Sequence, residues 1–192
     1  MSAVPPTEKA RATRAALVQS AGAMFEREGY GGVALRDVAR ENDVTTGAIY
    51  GHFRNKADLL AAAIADRIES DLVAPTRGTH AGLTDTLATQ AREYRTRAGM
   101  RALLVEGAHA AHVDNDAGRT IGEVLEARVA EWREQYRAVQ ADGAFPGVDM
   151  DTLLTLLLAM EVGLGVLEAF DVDLPKPSAW SGAVRQILGA IE

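Results

Sequence analysis

Apolar residues recur along this 192-residue chain at spacings of three and four, and nowhere alternate over the length of a strand. The pattern predicts helices throughout. A first helix over about 7–28 puts Leu17, Val18, Ala21, Met24 and Phe25 on one side and stops at Gly29. Two short helices follow over 35–41 and 46–53, and a fourth runs from after Asn55 to about 73. The stretch 74–82, APTRGTHAG, breaks the pattern. Beyond it the spacing predicts helices over 83–98 and 100–112. A long helix with Asp116 as its N-cap then reaches about 141, and two more cover 150–170 and 178–191. The long helix carries an amphipathic stripe of Ile121, Leu125, Val129, Trp132, Tyr136 and Val139. The helix over 150–170 is different. Its leucines, with Met160, Val162 and Val166, cover more than one face, so it must be buried on more than one side. The fold class is all-α.

The segment 35–60, LRDVARENDVTTGAIYGHFRNKADLL, carries the most specific chemistry. Leu35, Val38 and Ala39 share one face of a helix, and Ile49 and Phe53 share one face of the next. The turn between them, Asn42–Asp43–Val44, needs a left-handed residue, which Asn and Asp tolerate. Thr45 is then the N-cap of the second helix. A helix, a tight turn and a second helix present a helix end to the major groove of DNA. Gly47 lets that helix approach closely, and Tyr50 and His52 point outward as donors to phosphate oxygens. Asn55 caps the following helix, with Asp58 three positions on. Lys56 stands at a helix N-terminus, where free N–H groups favour a phosphate.

Net charge is −7, which alone argues against a nucleic-acid binder. Its distribution reverses the argument. Residues 1–60 hold 8 Lys+Arg against 7 Asp+Glu, a balance of +1, while residues 61–192 hold 12 against 20, a balance of −8. With no Cys, disulfides and thiolate metal sites are excluded, as suits a cytoplasmic protein. The N-terminus lacks a signal-peptide core. The apolar run 153–167 is short for a membrane span and contains Glu161, so no membrane partner is expected.

The spacing of Gly29–Tyr30, Arg36–Asp37–Val38–Ala39, Val44–Thr45–x–Gly47–x–Ile49–Tyr50–x–His52–Phe53 and Lys56–x–x–Leu59–Leu60 resembles the N-terminal domain of TetR-family transcriptional repressors. The resemblance covers about 7–60. It implies a three-helix DNA-binding domain with a helix-turn-helix over 1–60, and a helical ligand-binding and dimerisation domain over 61–192. Three departures stand out: Ala34 where the family usually has Ser or Thr, Asp43 for the usual turn Gly, and Gly51 at a position often bulky. The recognition helix therefore offers Thr45, Thr46, Gly47 and Gly51 to the groove, with no side chain able to make a bidentate base contact. Thr46 is expected to meet a thymine methyl, and Arg36 and Arg40 to supply the long donors. Tyr50, His52 and Lys56 would hold phosphates, with Arg11 and Arg14 adding backbone contacts. Arg36 and Arg40 also admit a plainer reading as solvated charges paired with Asp37 or Glu41.

The resemblance further implies a homodimer on a palindromic double-stranded DNA operator, and a small-molecule effector whose binding releases it. The last two helices, with Leu157, Gly163, Leu164, Trp180, Val184, Ile187 and Leu188, are expected to form a four-helix dimer interface. Candidates for the effector pocket are Tyr94, Met100, Leu103, Leu104, His109, Trp132, Tyr136 and Phe170, each also readable as ordinary core. Glu161, a carboxylate within a run of Leu, needs a partner, and is expected to pair with an Arg, cap an interface or contact a polar group of the effector, which makes it a further pocket candidate. Few aromatics and many aliphatics point to an apolar effector.

Glu106, His109 and His112 fall at i, i+3, i+6 on one helix. A ferritin-like di-iron protein needs two such Glu-x-x-His motifs and further Glu, and the chain has one, so metal binding is not expected. There is no nucleophile elbow, P-loop or dinucleotide-binding glycine pattern, and neither catalysis nor a cofactor is expected. A DNA-binding protein that responds to no ligand is the other alternative.

Overall fold

The computed structural model describes residues 8–72 and 80–190, and its regular elements among these are all helical. In chain order they are α1 (Glu8–Gly32), α2 (Leu35–Glu41), α3 (Thr46–Tyr50), α4 (Lys56–Asp71), α5 (His80–Arg92), a 3₁₀ turn (Tyr94–Arg97), α6 (Ala98–Val113), α7 (Asn115–Ala141), α8 (Met150–Ala169) and α9 (Pro177–Gly189). The expected helix limits at Thr7, Val73 and Ile191, and residues 74–79 of the break, lie outside the described residues. Two expectations shift. The helix predicted over 83–98 starts earlier, at His80 inside the predicted break, and ends at Arg92, and its last part is the 3₁₀ turn. The cap of α7 is Asp114, whose Oδ1 accepts from the N–H of Asp116 and Ala117; Asp116 instead pairs with Arg119.

The chain divides into two compact units, residues 1–67 with 106–124 and residues 68–105 with 125–192. Helices α4, α6 and α7 each supply residues to both. In the first unit α1 packs on α2 and α2 on α3. Leu17, Phe25, Val38, Ile49 and Phe53 are buried there, as the spacing predicted, and Leu60 is buried with them. Gly29 takes φ 71 and turns the end of α1 sharply, so that Tyr30 stacks on Phe25.

In the second unit α5 packs along α9. Leu83 and Leu87 of α5, Tyr136 and Val139 of α7, Leu153 and Leu154 of α8, and Val184 and Leu188 of α9 form one core cluster. The α7–α8 loop is folded beneath it by Gln140, whose amide donates to the carbonyls of Phe145 and Val148 at 2.9 and 2.8 Å. The side chain of Asp149 caps α8 by accepting from the Thr152 N–H. Hydrogen bonding from the Thr152 side chain, and then from its backbone N–H, holds the Asp149 carboxyl below the usual carboxylate range.

Helix α8 is long and apolar enough to cross a membrane by length and composition. Its charges fit a packed helix instead. Glu161 and Glu168 meet Arg97 and Arg101, which are buried in the same unit. Gly165 makes that meeting close: a Cβ there would lie 3.0 Å from the Arg101 Cβ and 3.1 Å from its carbonyl oxygen. Gly163, the other glycine expected to admit a neighbour, faces open space.

Gly165→Ala should therefore destabilise by about 1–3 kcal/mol, because overpacking outweighs the gain in helix propensity. Gly122→Ala, on α7 with nothing within 4 Å, should stabilise by up to about 1 kcal/mol. Urea denaturation of the two variants measures both, and the opposite signs are the check.

Candidate nucleic-acid interface and cavity

The helix-turn-helix forms by the capping that its sequence specifies. Asp43 takes φ 52, the left-handed residue of the turn. Asn42 donates its side-chain amide to the Val38 carbonyl at 2.8 Å and closes the end of α2. Thr45 Oγ1 accepts from the Ala48 N–H at 3.2 Å and starts α3. Ala34 stands at the head of α2 with no side-chain cap. Asn55 Oδ1 accepts from the Asp58 N–H at 2.8 Å, and the Asp58 carboxylate accepts from the Arg54 backbone N–H at 3.0 Å. Arg54 also donates to Asp58 through its side chain, and this bond holds the Asp58 carboxyl below its ordinary value. Helix α4 thus begins in a reciprocal cap.

Ile49 is fully buried beneath α3 while Tyr50 is 58% exposed above it, so the outer face of α3 is fixed. Thr45, Gly47 and Gly51 are exposed with Tyr50, and Thr46 and His52 are half-buried. Arg36 and Arg40 are exposed and both reach Asp37, at 3.9 and 2.9 Å. These are surface pairs that cost little to exchange for a phosphate. Arg14 lies over the Phe53 ring, 5.0 Å from its centre.

Lys56 is placed differently from the phosphate-facing position expected of it. Its Nζ donates to the carbonyls of Tyr30 and Val33 at 2.6 and 3.1 Å and sits over the Tyr30 ring, 4.2 Å from the centre. Desolvation lowers its pKa. From the other side the Tyr30 N–H donates to Glu106 Oε2 at 2.7 Å. The bend that leads into α2 is thus gripped by an ammonium on its carbonyls and a carboxylate on its amide. This role also accounts for Glu106, which sequence spacing had set beside His109 and His112. Among the described residues no group of three His, Asp or Glu could hold a metal ion.

The second unit holds a partly open cavity of about 90 Å³. Of the expected lining residues, Met100, Leu104, Trp132, Tyr136 and Glu161 border it. Leu103 is fully buried but does not border it. Tyr94 is buried outside it: its hydroxyl donates to the Pro175 carbonyl at 2.7 Å and its ring packs against Trp180. Phe170 is 74% exposed, and His109 is exposed in the first unit. Four residues expected at a dimer interface, Leu157, Leu164, Trp180 and Val184, instead face this cavity, while Gly163 and Ile187 stay outside. The reason is helical phase. Residues 153, 157, 161 and 164 form the inner stripe of α8, and 156, 163 and 167 the outer one.

The polar end of the cavity is an ion pair that sequence reading half anticipated. Glu161 Oε1 accepts from Arg97 Nη2 at 2.6 Å and Nε at 3.2 Å, and Arg97 Nη1 donates to the Gln90 carbonyl at 2.8 Å. Arg101 Nη1 reaches Glu161 Oε2 at 3.3 Å and the Tyr94 carbonyl at 2.6 Å, and its other nitrogens hold Glu168. Burial works against the Arg101 charge, but the bonds and charges of Glu168 and Glu161 outweigh it and raise its pKa. Arg97, Arg101 and Glu168 were not singled out from sequence. Their signal was present as charge spacing, with Arg97 and Arg101 four residues apart and Glu161 and Glu168 seven apart.

If Lys56 holds the α1–α2 bend, Lys56→Met should lower stability by about 1–3 kcal/mol. It should also leave the salt dependence of DNA binding unchanged. A lost phosphate contact would reduce the slope of log K against log salt by about 0.9. Thermal unfolding and a salt titration of DNA affinity separate the two.

Residues 17–63 match the family described as bacterial regulatory proteins, tetR family. The HTH-type transcriptional regulator TtgR of Pseudomonas putida is 42% identical over 57 residues, which are 30% of this chain and 27% of that protein. The chain thus matches under a third of that relative's length. A TetR transcriptional regulator from Chloroflexus aurantiacus superposes with a TM-score of 0.65 at 23% identity over 96% of both chains. The transcriptional regulator FadR of Bacillus subtilis, in complex with stearoyl-CoA, does so with 0.63 at 17%, over 91% of this chain and 96% of that one. Residues 17–63 of this chain thus match the tetR family of bacterial regulatory proteins, and the chain as a whole has the fold of TetR-family regulators.

Proposed function

We propose that the chain is a cytoplasmic, DNA-binding transcriptional repressor that works as a homodimer and leaves its operator when a small molecule enters the cavity of the second unit. The exposed face of α3, fixed by the Thr45 cap and buried Ile49, carries the reading. Residues 1–60 would form the DNA-reading domain and 61–192 the effector and dimer domain. Tyr50 and His52 would hold phosphates. The bare surface of Thr46, Gly47 and Gly51 would meet base edges and thymine methyls, with Arg36 and Arg40 released from Asp37 to reach DNA. Shape and deformability of the operator would supply part of the specificity.

The outer stripe of α8 supports the dimer. Leu156, Val166 and Leu167 are exposed there, Phe170 lies at the helix end, and Ile187 is exposed on α9. A single chain leaves this apolar surface in water, and a second copy would cover it with the same surface.

The cavity supports the switch. At about 90 Å³ it is smaller than the ~150 Å³ space that admits benzene, so any ring-sized ligand must part its walls. Those walls include Ile68 of α4, Leu72 just after that helix, and Met100 and Leu104 of α6. The same two helices carry Lys56 and Glu106, which grip the bend before α2. A ligand that favours the widened cavity would therefore favour a conformation other than the one that binds DNA. The related FadR structure holds stearoyl-CoA, which supports a ligand site in this fold.

Selection of bound sequences from random DNA tests the proposal. It should return a two-fold symmetric site with half-sites about one helical turn, ~34–36 Å, apart. Arg40→Ala should relax the preference at one position in each half. Recovery of a single asymmetric half-site, bound by a monomer, would count against the dimeric reading.

A further inference from the structure

The cavity's chemistry narrows its occupant. Tyr136 is 6% exposed and borders the cavity, and its hydroxyl has no hydrogen-bond partner among the described residues. Nor is that oxygen sealed among the fully enclosed polar atoms that lack a partner. The hydroxyl of this buried tyrosine thus keeps accessible surface and no protein partner among the described residues, so a ligand in the cavity that accepts a hydrogen bond can engage it. Desolvation pushes the Tyr136 pKa up to about 12, so the group is a neutral donor at physiological pH.

The opposite end disfavours charge. Arg97 and Glu161, the charged groups that border the cavity, already satisfy each other. Arg101 and Glu168 behind them are likewise paired. Two cations face two anions, so no net charge awaits a ligand ion. An anion would have to displace Glu161 from Arg97 and leave it only the longer contact with Arg101. A cation would have to share Glu161 with two arginines. The first change breaks a buried pair and the second crowds a third cation onto one carboxylate, and both work against an ionic ligand. Gln90, the other polar residue of the wall, already has a partner. The remaining walls are leucines, Ile68, Ala91, Val184, Met100, Met160 and the rings of Trp132 and Trp180; the methionines are the side chains best able to yield to an occupant.

We propose that the cavity takes an uncharged, single-ring molecule bearing one hydrogen-bond acceptor, which the Tyr136 hydroxyl engages. This rests on the effector reading above and names the chemistry of that effector. Calorimetric titration of the full chain with four probes of one size tests it: acetophenone, ethylbenzene, benzoate and benzylamine. Acetophenone should bind about tenfold more tightly than ethylbenzene, and both ions should bind more weakly than acetophenone by at least that factor. Tyr136→Phe, which keeps the ring, should erase the preference for acetophenone and change ethylbenzene affinity by less than about twofold. The inference is overturned if an ion binds best, if the preference survives in Tyr136→Phe, or if no probe binds at millimolar concentration. DNA release is scored separately. Tyr136-dependent binding that leaves DNA affinity unchanged would support the ligand class and sink the effector reading.

Discussion

The second unit depends on a buried set of two arginines and two glutamates. Arg101 is wholly inaccessible to solvent, and Arg97 nearly so. A guanidinium can occupy such a position only with its donors bonded. Glu161 and Glu168 provide for this, seven residues apart on α8, together with the carbonyls of Tyr94 and Gln90. The set therefore fixes which way α8 faces. Its inner stripe must bring both carboxylates to α6 and the turn before it, and Gly165 lets the backbones close on each other there.

Two consequences follow from this one constraint. With Glu161 and Glu168 turned inward, Leu156, Val166 and Leu167 are turned outward, and the chain presents an apolar stripe that a second copy can cover. With Arg97 and Glu161 closing one end of the cavity, the rest of its wall is apolar apart from Gln90 and Tyr136. An interface face and a ligand space are thus set by the phase of a single helix. The first unit is organised by a smaller version of the same device, in which Lys56 and Glu106 hold the backbone of the bend at Tyr30 from opposite sides.

The helices were legible because their caps and periodicities are local. Thr45, Asn55 and the left-handed Asp43 do what their positions implied. The 3₁₀ turn at Tyr94–Arg97 was less so, since the apolar spacing runs on through it and only Arg97 and Arg101, drawn toward Glu161, distinguish the break. Lys56 misled for a related reason. Its place at a helix start is a local fact, but its ammonium follows carbonyls 26 and 23 residues away. Helix α8 was recognisable as needing two partners. Which leucines face each partner depends on the phase that Arg101 imposes, and the run of leucines alone does not encode it.

Equilibrium denaturation of a double-mutant cycle at Arg101 and Glu168 tests this constraint most directly. Glu168→Leu alone should cost about 2–3 kcal/mol. That is below the ~3–5 kcal/mol typical of breaking a fully buried pair, because Glu168 is partly exposed and Glu161 remains nearby. Arg101→Met with Glu168→Leu should recover most of that loss, since two apolar side chains leave no charge short of a partner. Costs that simply add would show that the pair is not what orients α8, and would contradict the account.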